Sequence, residues 1–159
     1  MPISRSLRLL ALGALLPLLA ACASVGVSAQ TGQVYIPADG ANNRTGSVYV
    51  LNAVVVSGST GGGTLVTTFV DTKTDAGDTV TSITGSGLTV TGTFPKIPAG
   101  GHTNLADLPP IFVTGAGVAA GGYVTLTFDF QQASPVTMDV PVIAPTDQWQ
   151  SITLPPATS

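Results

Sequence analysis

Apolar and polar residues alternate with a period of two over long stretches of this chain, which is the pattern of half-buried β-strands. The clearest stretch is Tyr123–Phe130, and a second follows the turn at 131–135. The two stretches predict a hairpin with one apolar face, on which Leu126 and Phe128 face Met138 and Val140. The apolar positions are Val124, Leu126, Phe128 and Phe130 in the first strand and Val136, Met138, Val140 and Val142 in the second.

Shorter segments of the same kind predict the remaining strands. They cover residues 47–57, 64–70, 79–83, 88–94 and 111–114, and residues 33–37 are compatible with a short edge strand. In 47–57 the apolar residues change phase around Leu51 and Asn52, which predicts a β-bulge, because one extra residue restores the buried face after a change of parity. Residues 58–63 are expected to be a flexible hairpin loop, 71–78 and 115–122 turns, and 95–110 irregular.

Composition favours an all-β fold. Thr, Val and Gly are abundant, whereas the helix formers Glu, Lys, Leu and Arg are scarce. The chain is long enough for one domain that buries about two-thirds of the surface of its unfolded form. Cys22 is its only cysteine, so no disulfide can form within the chain and stability must come from packing.

The amino terminus has the pattern of a secretory signal peptide. Arg5 and Arg8 precede an apolar run from Leu9 to Leu19, which is too short to cross a bilayer as a mature helix. The motif Leu19-Ala20-Ala21-Cys22 then resembles the lipobox of bacterial lipoproteins, in which the cysteine is diacylglyceryl-modified and becomes the first residue after cleavage. Two or more acyl chains, such as palmitate, anchor a protein stably, whereas one does so only marginally. The alternative is a soluble secreted protein, cleaved nearby at an Ala-x-Ala site.

This interpretation divides the chain into a signal peptide (1–21), a lipidated Cys22 with a flexible tether (22–45), a β-sandwich domain (46–143) and a C-terminal tail (144–159). Trp149 in the tail either closes one end of the sandwich or lies exposed. The lipid anchor makes the membrane a partner and places the protein at the extracytoplasmic face of the cell membrane. The 138 residues left after cleavage carry three cationic side chains against eight aspartates, a net charge of −5. This charge argues against nucleic acid and anionic lipid headgroups as partners.

Few residues suggest a chemical site. The glycines 61–63 are followed by neither a helix nor Gly-Lys-Ser/Thr, so a turn explains them better than a phosphate loop. Segment 71–78 has three aspartates around a glycine but lacks the ligand spacing of an EF-hand, so we expect a solvated turn. The chain is not expected to be an enzyme, because it has one histidine, no free thiol after lipidation, no glutamate and no Gly-x-Ser-x-Gly elbow.

The carboxyl half resembles a known family. Its blocks Ile97-Pro98-Ala99-Gly100-Gly101, Phe112-Val113-Thr114-Gly115 and Val124-Thr125-Leu126-Thr127-Phe128, and the run from Val136 to Val142, look like successive segments of the periplasmic copper(I) chaperones called PCuAC. Residues 78–83 are similar to a segment further upstream in that family. The likeness is greatest to ligand-poor actinobacterial lipoproteins of the LpqE type. It covers roughly residues 47–143 and implies a cupredoxin-like sandwich. We therefore expect an all-β, cupredoxin-like or immunoglobulin-like β-sandwich of about seven to nine mostly antiparallel strands.

The copper ligands of that family are missing at the matching positions. A His-x-Met pair, which the family places just before the glycine matched by Gly115, falls here on Pro110 and Phe112, and neither side chain binds copper. The other His and Met of the family would fall between residues 64 and 95, where this chain has neither residue type. His102 is a weak candidate ligand that is better explained as an exposed loop histidine, and Met138 is better explained as a core residue. No cofactor or metal site is therefore expected.

Two functions fit this sequence. The first is a lipid-anchored, non-catalytic binding or accessory module for an envelope protein or ligand of unknown identity. The alternative is a copper-handling, chaperone-like lipoprotein with a degenerate site, in which His102 and aspartates, or ligands from a partner, hold the ion. Cu(I) prefers thiolate, thioether and imidazole ligands, and a tight site needs two or three of them. Tight Cu(I) binding by the chain alone is therefore not expected.

Overall fold

The computed structural model describes residues 39–59 and 61–156, and within them the protein is all-β, as predicted. Cys22, the lipobox and the expected edge strand at 33–37 lie outside the described residues. Within residues 39–59 and 61–156, two short 3₁₀ helices, Leu105–Asp107 and Asp147–Trp149, accompany ten strands. The strands are β1 (Ala41–Asn43), β2 (Val48–Ser59), β3 (Gly62–Asp71), β4 (Asp78–Thr84), β5 (Thr89–Thr91), β6 (Lys96–Ile97), β7 (His102–Asn104), β8 (Ile111–Thr114), β9 (Tyr123–Phe130) and β10 (Val136–Ile143).

The strands form one mixed sheet that curls around a single main core. Its order is β5-β8-β3-β2-β10-β9-β4-β6, with β1 beside β2 and β7 beside β3. Only the pairing of β10 with β2 is parallel among the described strand pairs. Phe69 on β3 meets Phe128 on β9, three strands away, with ring centroids 5.8 Å apart, and Phe130 packs edge-on against Phe69 at 6.0 Å. These contacts show that the two halves of the sheet face each other, as in a β-sandwich.

The hairpin predicted from alternation is confirmed. In the antiparallel pair β9–β10, Leu126 lies opposite Met138, but Phe128 lies opposite Val136 and Val140 lies opposite Val124, so only the register of Phe128 and Val140 differs from the expected pairing. The apolar side chains of both strands pack into or against the main core, where Leu126 and Phe128 are fully buried. On the outer face, the hydroxyls of Thr127 and Thr137 hydrogen-bond at 2.8 Å. Cross-strand pairs of this kind stabilise both faces of a hairpin.

The β-bulge predicted in β2 is also confirmed. Between Leu51 and Val54, β2 takes three residues where the facing strand β3 takes two. Asn52 lies inside the bulge in the left-handed region, with φ 51°, a conformation that asparagine tolerates better than most residues. Its side-chain oxygen accepts the Gly40 N–H at 2.9 Å, and its own N–H donates to Asn42 Oδ1 at 2.9 Å. The first described residues of the domain therefore hold the bulge in place.

Strand β2 is buried on both faces. Ala53 and Val55 belong to the main core, whereas Val54 and Val56 join Val66 and Trp149 in a second apolar cluster. That cluster is covered by residues 144–156, the strap, which contributes Trp149 and packs Ile152 and Leu154 against it. Trp149 is buried against this cluster, with 9% of its surface exposed.

Three local predictions were wrong. Residues 58–63 are mostly strand, since Ser59 pairs with Gly62; a Cβ on Gly63 would lie 2.6 Å from the Val55 side chain, so close packing requires that glycine. The strand predicted at 88–94 is limited to β5, because Gly92 has φ 144° and turns the chain. The stretch 95–110, expected to be irregular, contains β6 and β7, which pair with β4 and β3.

The assignment of faces in β9 can be tested by two neighbouring substitutions. Phe128→Ala should lower the free energy of unfolding by about 3–5 kcal/mol, because it empties a fully buried position against Phe69. Thr127→Ala removes only one outer-face hydrogen bond, so we expect a loss of about 1 kcal/mol or less. A denaturant titration of both variants measures the difference, and equal losses would contradict the assigned faces.

Candidate functional site

In the described part of the chain, the two side chains that could bind a soft metal ion, His102 and Met138, do not converge. His102 begins β7, is exposed, and pairs with Val70 of β3. Met138 lies on β10 opposite Leu126, where it is half-buried against the main core. Strands β3 and β2 separate β7 from β10 in the sheet. The fold therefore assigns the methionine to packing and leaves the histidine alone at the surface.

The positions that the sequence resemblance matches to the family's His-x-Met pair hold hydrocarbon side chains, Pro110 and Phe112. Pro110 lines a small pocket of about 90 Å³ together with Thr64, Leu105, Leu108 and Ile152. Phe112 is half-buried on β8, opposite Thr64 of β3. The Thr64 hydroxyl donates to the Thr153 carbonyl at 2.5 Å. None of these groups is a soft ligand, so this pocket does not fit Cu(I).

The acidic segment 71–78 is not a solvated turn throughout, which corrects the sequence-based expectation. Asp75 is exposed, but Asp71 and Asp78 are 3% and 5% exposed. The Asp71 carboxylate accepts the Lys73 N–H at 2.8 Å and so closes the local turn. Within the described part of the chain, no three His, Cys, Asp or Glu side chains gather closely enough to hold a metal ion.

Asp78 holds two distant parts of the fold together. Its Oδ1 accepts backbone N–H groups from Thr79 at 2.7 Å and from Gln131 and Gln132, each at 3.0 Å. Its Oδ2 accepts the Ala133 N–H at 2.8 Å. The carboxylate at the start of β4 thus satisfies three successive donors in the turn between β9 and β10. Its chemistry is structural, because both oxygens are occupied by backbone bonds.

These bonds also set the charge state of Asp78. Burial by itself raises the pKa of the carboxyl group, but the four backbone hydrogen bonds together outweigh that effect and hold the pKa below the ordinary value of 3.8. A carboxyl whose pKa is lower in the folded state stabilises the fold above the unfolded-state pKa. That stabilisation is lost as the pH falls through the folded-state pKa.

Asp78→Asn should therefore destabilise the protein in a pH-dependent way. At neutral pH we expect a loss of about 2–3 kcal/mol, since an amide cannot accept all four N–H groups. The difference between wild type and variant should shrink as the pH falls below the ordinary aspartate pKa of 3.8.

The matched control is Asp75→Asn, which removes an exposed carboxylate of the same segment. Urea titrations of the three proteins at several pH values give the comparison. A stability difference for Asp78→Asn that is independent of pH, or an equal effect of Asp75→Asn, would contradict this account.

The predicted lipidation site, Cys22, and the lipobox residues Leu19, Ala20 and Ala21 lie outside the described residues, so their assignment stays a prediction. None of the helices within 39–59 and 61–156 has the length and apolar character that a membrane span requires.

Comparison with known proteins identifies the fold. No family model and no curated protein matches the sequence. Among solved structures, a copper-bound PCuAC domain from PmoF2 matches with a TM-score of 0.55 and 14% identity, over 66% of this chain and 99% of that domain. The apo PCuAC domain from PmoF1 matches with a TM-score of 0.55 and 12% identity, over 66% of this chain and 100% of that domain. The apo PCuAC domain of PmoF2 matches equally well, with a TM-score of 0.55 and 14% identity over 67% of this chain and 98% of that domain.

The fold is therefore that of PCuAC domains, as the sequence resemblance implied. Identities of 12–14% establish the fold alone, and the closer likeness to actinobacterial lipoproteins stays a prediction. Which groups occupy the ligand positions follows from the residues of this chain.

Sequence reasoning missed the structural role of Asp78. Three of its four donors lie 53 to 55 residues away along the chain. No local motif marks such a residue. The one signal in the sequence is that this aspartate directly precedes the strand predicted at 79–83.

Proposed function

We propose that this protein is a non-catalytic, lipid-anchored protein of the cell envelope that handles copper(I) together with a partner, which completes the metal site. The observation that carries the proposal is the likeness of its fold to a copper-bound PCuAC domain, which extends over 99% of that domain. The likeness favours copper handling over a role unrelated to metals.

The ligand chemistry supports a shared site. A compact Cu(I) site needs two or three thiolate, thioether or imidazole groups that converge. Among the described residues, His102 is the exposed group of this kind, while Met138 packs against the core. A partner that brings two sulfur or imidazole ligands to His102 would complete a site at the edge of the sheet. The aspartates are hard oxygen donors and do not replace these ligands.

A non-catalytic role agrees with the groups that the fold presents. The buried carboxylate of Asp78 is occupied by four backbone N–H groups. His102 has no neighbouring metal-ligand cluster in the described part of the chain. General acid–base or nucleophilic catalysis needs a base within hydrogen-bonding reach of a reacting group.

A test of the copper role uses competition with a Cu(I) chelator. Wild type alone should not compete with a tight chelator. With excess methionine added as a stand-in for the partner's thioether ligands, wild type should retain Cu(I) against a weak chelator, and His102→Ala should not. Asp75→Ala, which removes an exposed aspartate instead, serves as control and should behave as wild type.

Three outcomes would contradict the shared-site proposal. Tight stoichiometric binding by the chain alone would show that it holds a complete site. Retention that does not depend on His102, or no retention at all, would remove the copper role. A copper-free accessory module would then be the better function, and the occupation of the ligand positions by Pro110 and Phe112 already favours that second candidate.

Anchoring is tested separately at Cys22. The motif Leu19-Ala20-Ala21-Cys22 motivates it, and two acyl chains suffice for stable membrane binding. Cys22→Ser should release the protein from membranes or leave it as uncleaved precursor, as measured by membrane fractionation and the mass of the intact protein. A correctly cleaved Cys22→Ser protein that stays fully membrane-bound would contradict the proposal.

A further inference from the structure

The strap, residues 144–156, is attached to the domain almost entirely through side chains. It has no strand pairing with the sheet, and its backbone hydrogen bonds, such as Trp149 N–H to the Thr146 carbonyl at 2.9 Å, are internal. Among the described residues, two hydrogen-bonded positions join it to the rest of the domain: the Thr64 hydroxyl and the Asp39 carboxylate. Segments with few backbone bonds to a sheet open at lower cost than the sheet itself.

The strap packs directly over two glycines of the β2–β3 hairpin. A Cβ on Gly58 would lie 2.6 Å from Leu154 Cδ1, and a Cβ on Gly62 would lie 3.2 Å from Pro155 Cγ. Neither glycine has a positive φ, so the space above them, rather than their backbone conformation, is what the strap uses. The strap thus lies directly on the hairpin and covers Val54, Val56 and Val66.

Asp39 connects the strap to the first described residues of the domain. Its Oδ2 accepts the indole N–H of Trp149 at 3.1 Å and the side-chain N–H of Gln148 at 2.5 Å. The next residue, Gly40, donates its N–H to Asn52 in the bulge of β2, where a Cβ on Gly40 would clash with the Asn52 backbone. Asp39 is therefore held between a packed glycine and the one tryptophan of the chain.

The strap also carries backbone strain. Asp147, which begins its 3₁₀ helix, has φ 51°. Such a conformation persists in a non-glycine residue when surrounding contacts hold it. Its neighbours Gln148 and Trp149 are the two residues that bind Asp39.

We infer that the strap and the lead-in, residues 39–43, form one latch that Asp39 closes, so that the two chain ends of the domain open and close together. Docking of the strap then holds the lead-in on the sheet, and release of the strap loosens the lead-in and uncovers the valine face of β2 and β3. Coupling between two segments acts in both directions, so a change at either end must be felt at the other. The inference holds whether or not the chain is lipidated or handles copper.

Trp149 reports on the strap, since it is the only tryptophan. In the full chain, Asp39→Ala should make Trp149 several-fold more accessible to acrylamide quenching. Conversely, Trp149→Phe, which keeps an aromatic ring but removes the indole N–H, should accelerate amide hydrogen exchange at Gly40 and Asn52 by about tenfold. Amides of the β9–β10 hairpin should keep their protection in both variants.

A second kind of variant releases the strap by a steric clash. Gly58→Val should displace Leu154 and accelerate exchange at Gly40 and Asn52 without touching Asp39. Gly117→Val, at a glycine with open space and no positive φ, is its control, and Asp75→Ala is the control for Asp39→Ala.

Unchanged quenching of Trp149 in Asp39→Ala would overturn the latch. So would unchanged exchange at Gly40 and Asn52 when the strap is altered by Trp149→Phe and Gly58→Val. Accelerated exchange that extends equally over β9 and β10 would also overturn it, since that result indicates global destabilisation instead of opening at the two ends.

Discussion

Strand β2 must bury apolar side chains on both of its faces, and the rest of the structure depends on how it does so. A strand of strict alternation would place Val48 and Val50 on one face and Ala53 and Val55 on the other. The extra residue at Asn52 restores the parity, so that all four point into the main core. The left-handed conformation of Asn52 has an energetic cost, which is offset by its two hydrogen bonds to Gly40 and Asn42.

The same parity creates the second apolar layer. Once Ala53 and Val55 face the main core, Val54 and Val56 must face outward, where they would meet water if nothing covered them. The strap supplies the cover with Trp149, Ile152 and Leu154. The need for a C-terminal segment that packs on the sheet, and for Asp39 to hold it, thus follows from one extra residue in the middle of β2.

The Asp78 carboxylate stabilises the part of the sandwich formed by β4, β9 and β10. The described part of the chain contains no cysteine, so no disulfide joins the two halves there. Asp78 connects β4 to the turn after β9 through four backbone hydrogen bonds, and Phe69 contacts Phe128 and Phe130 across the core. Bonds from neutral N–H groups to a buried carboxylate are stronger than those between neutral groups, and they make this part of the fold sensitive to acid.

Local pattern predicted the fold where burial is one-sided, and it failed where the decisive contacts are distant in sequence. Alternation located β9 and β10, and the phase change in β2 located the bulge, because both patterns are direct consequences of which face is buried. The roles of Asp78 and of Trp149 depend on partners more than 50 and more than 100 residues away. Local pattern predicts a flexible loop at 58–63, whereas Gly58, Gly62 and Gly63 leave space for Leu154, Pro155 and Val55.

The same periodicity explains how the fold can resemble PCuAC domains without constraining the positions that the sequence resemblance matches to copper ligands. On β8, Ile111 and Val113 are buried in the core, whereas Phe112 lies on the alternate face, in phase with Pro110. Core packing therefore constrains residues 111 and 113 and places no such constraint on residues 110 and 112. Two chains that share the pattern of buried positions share a fold, but they need not share the side chains, or the chemistry, of the alternate positions. For this reason the likeness to PCuAC domains establishes the fold, whereas the chemistry at positions 110 and 112 follows from the side chains that this chain places there.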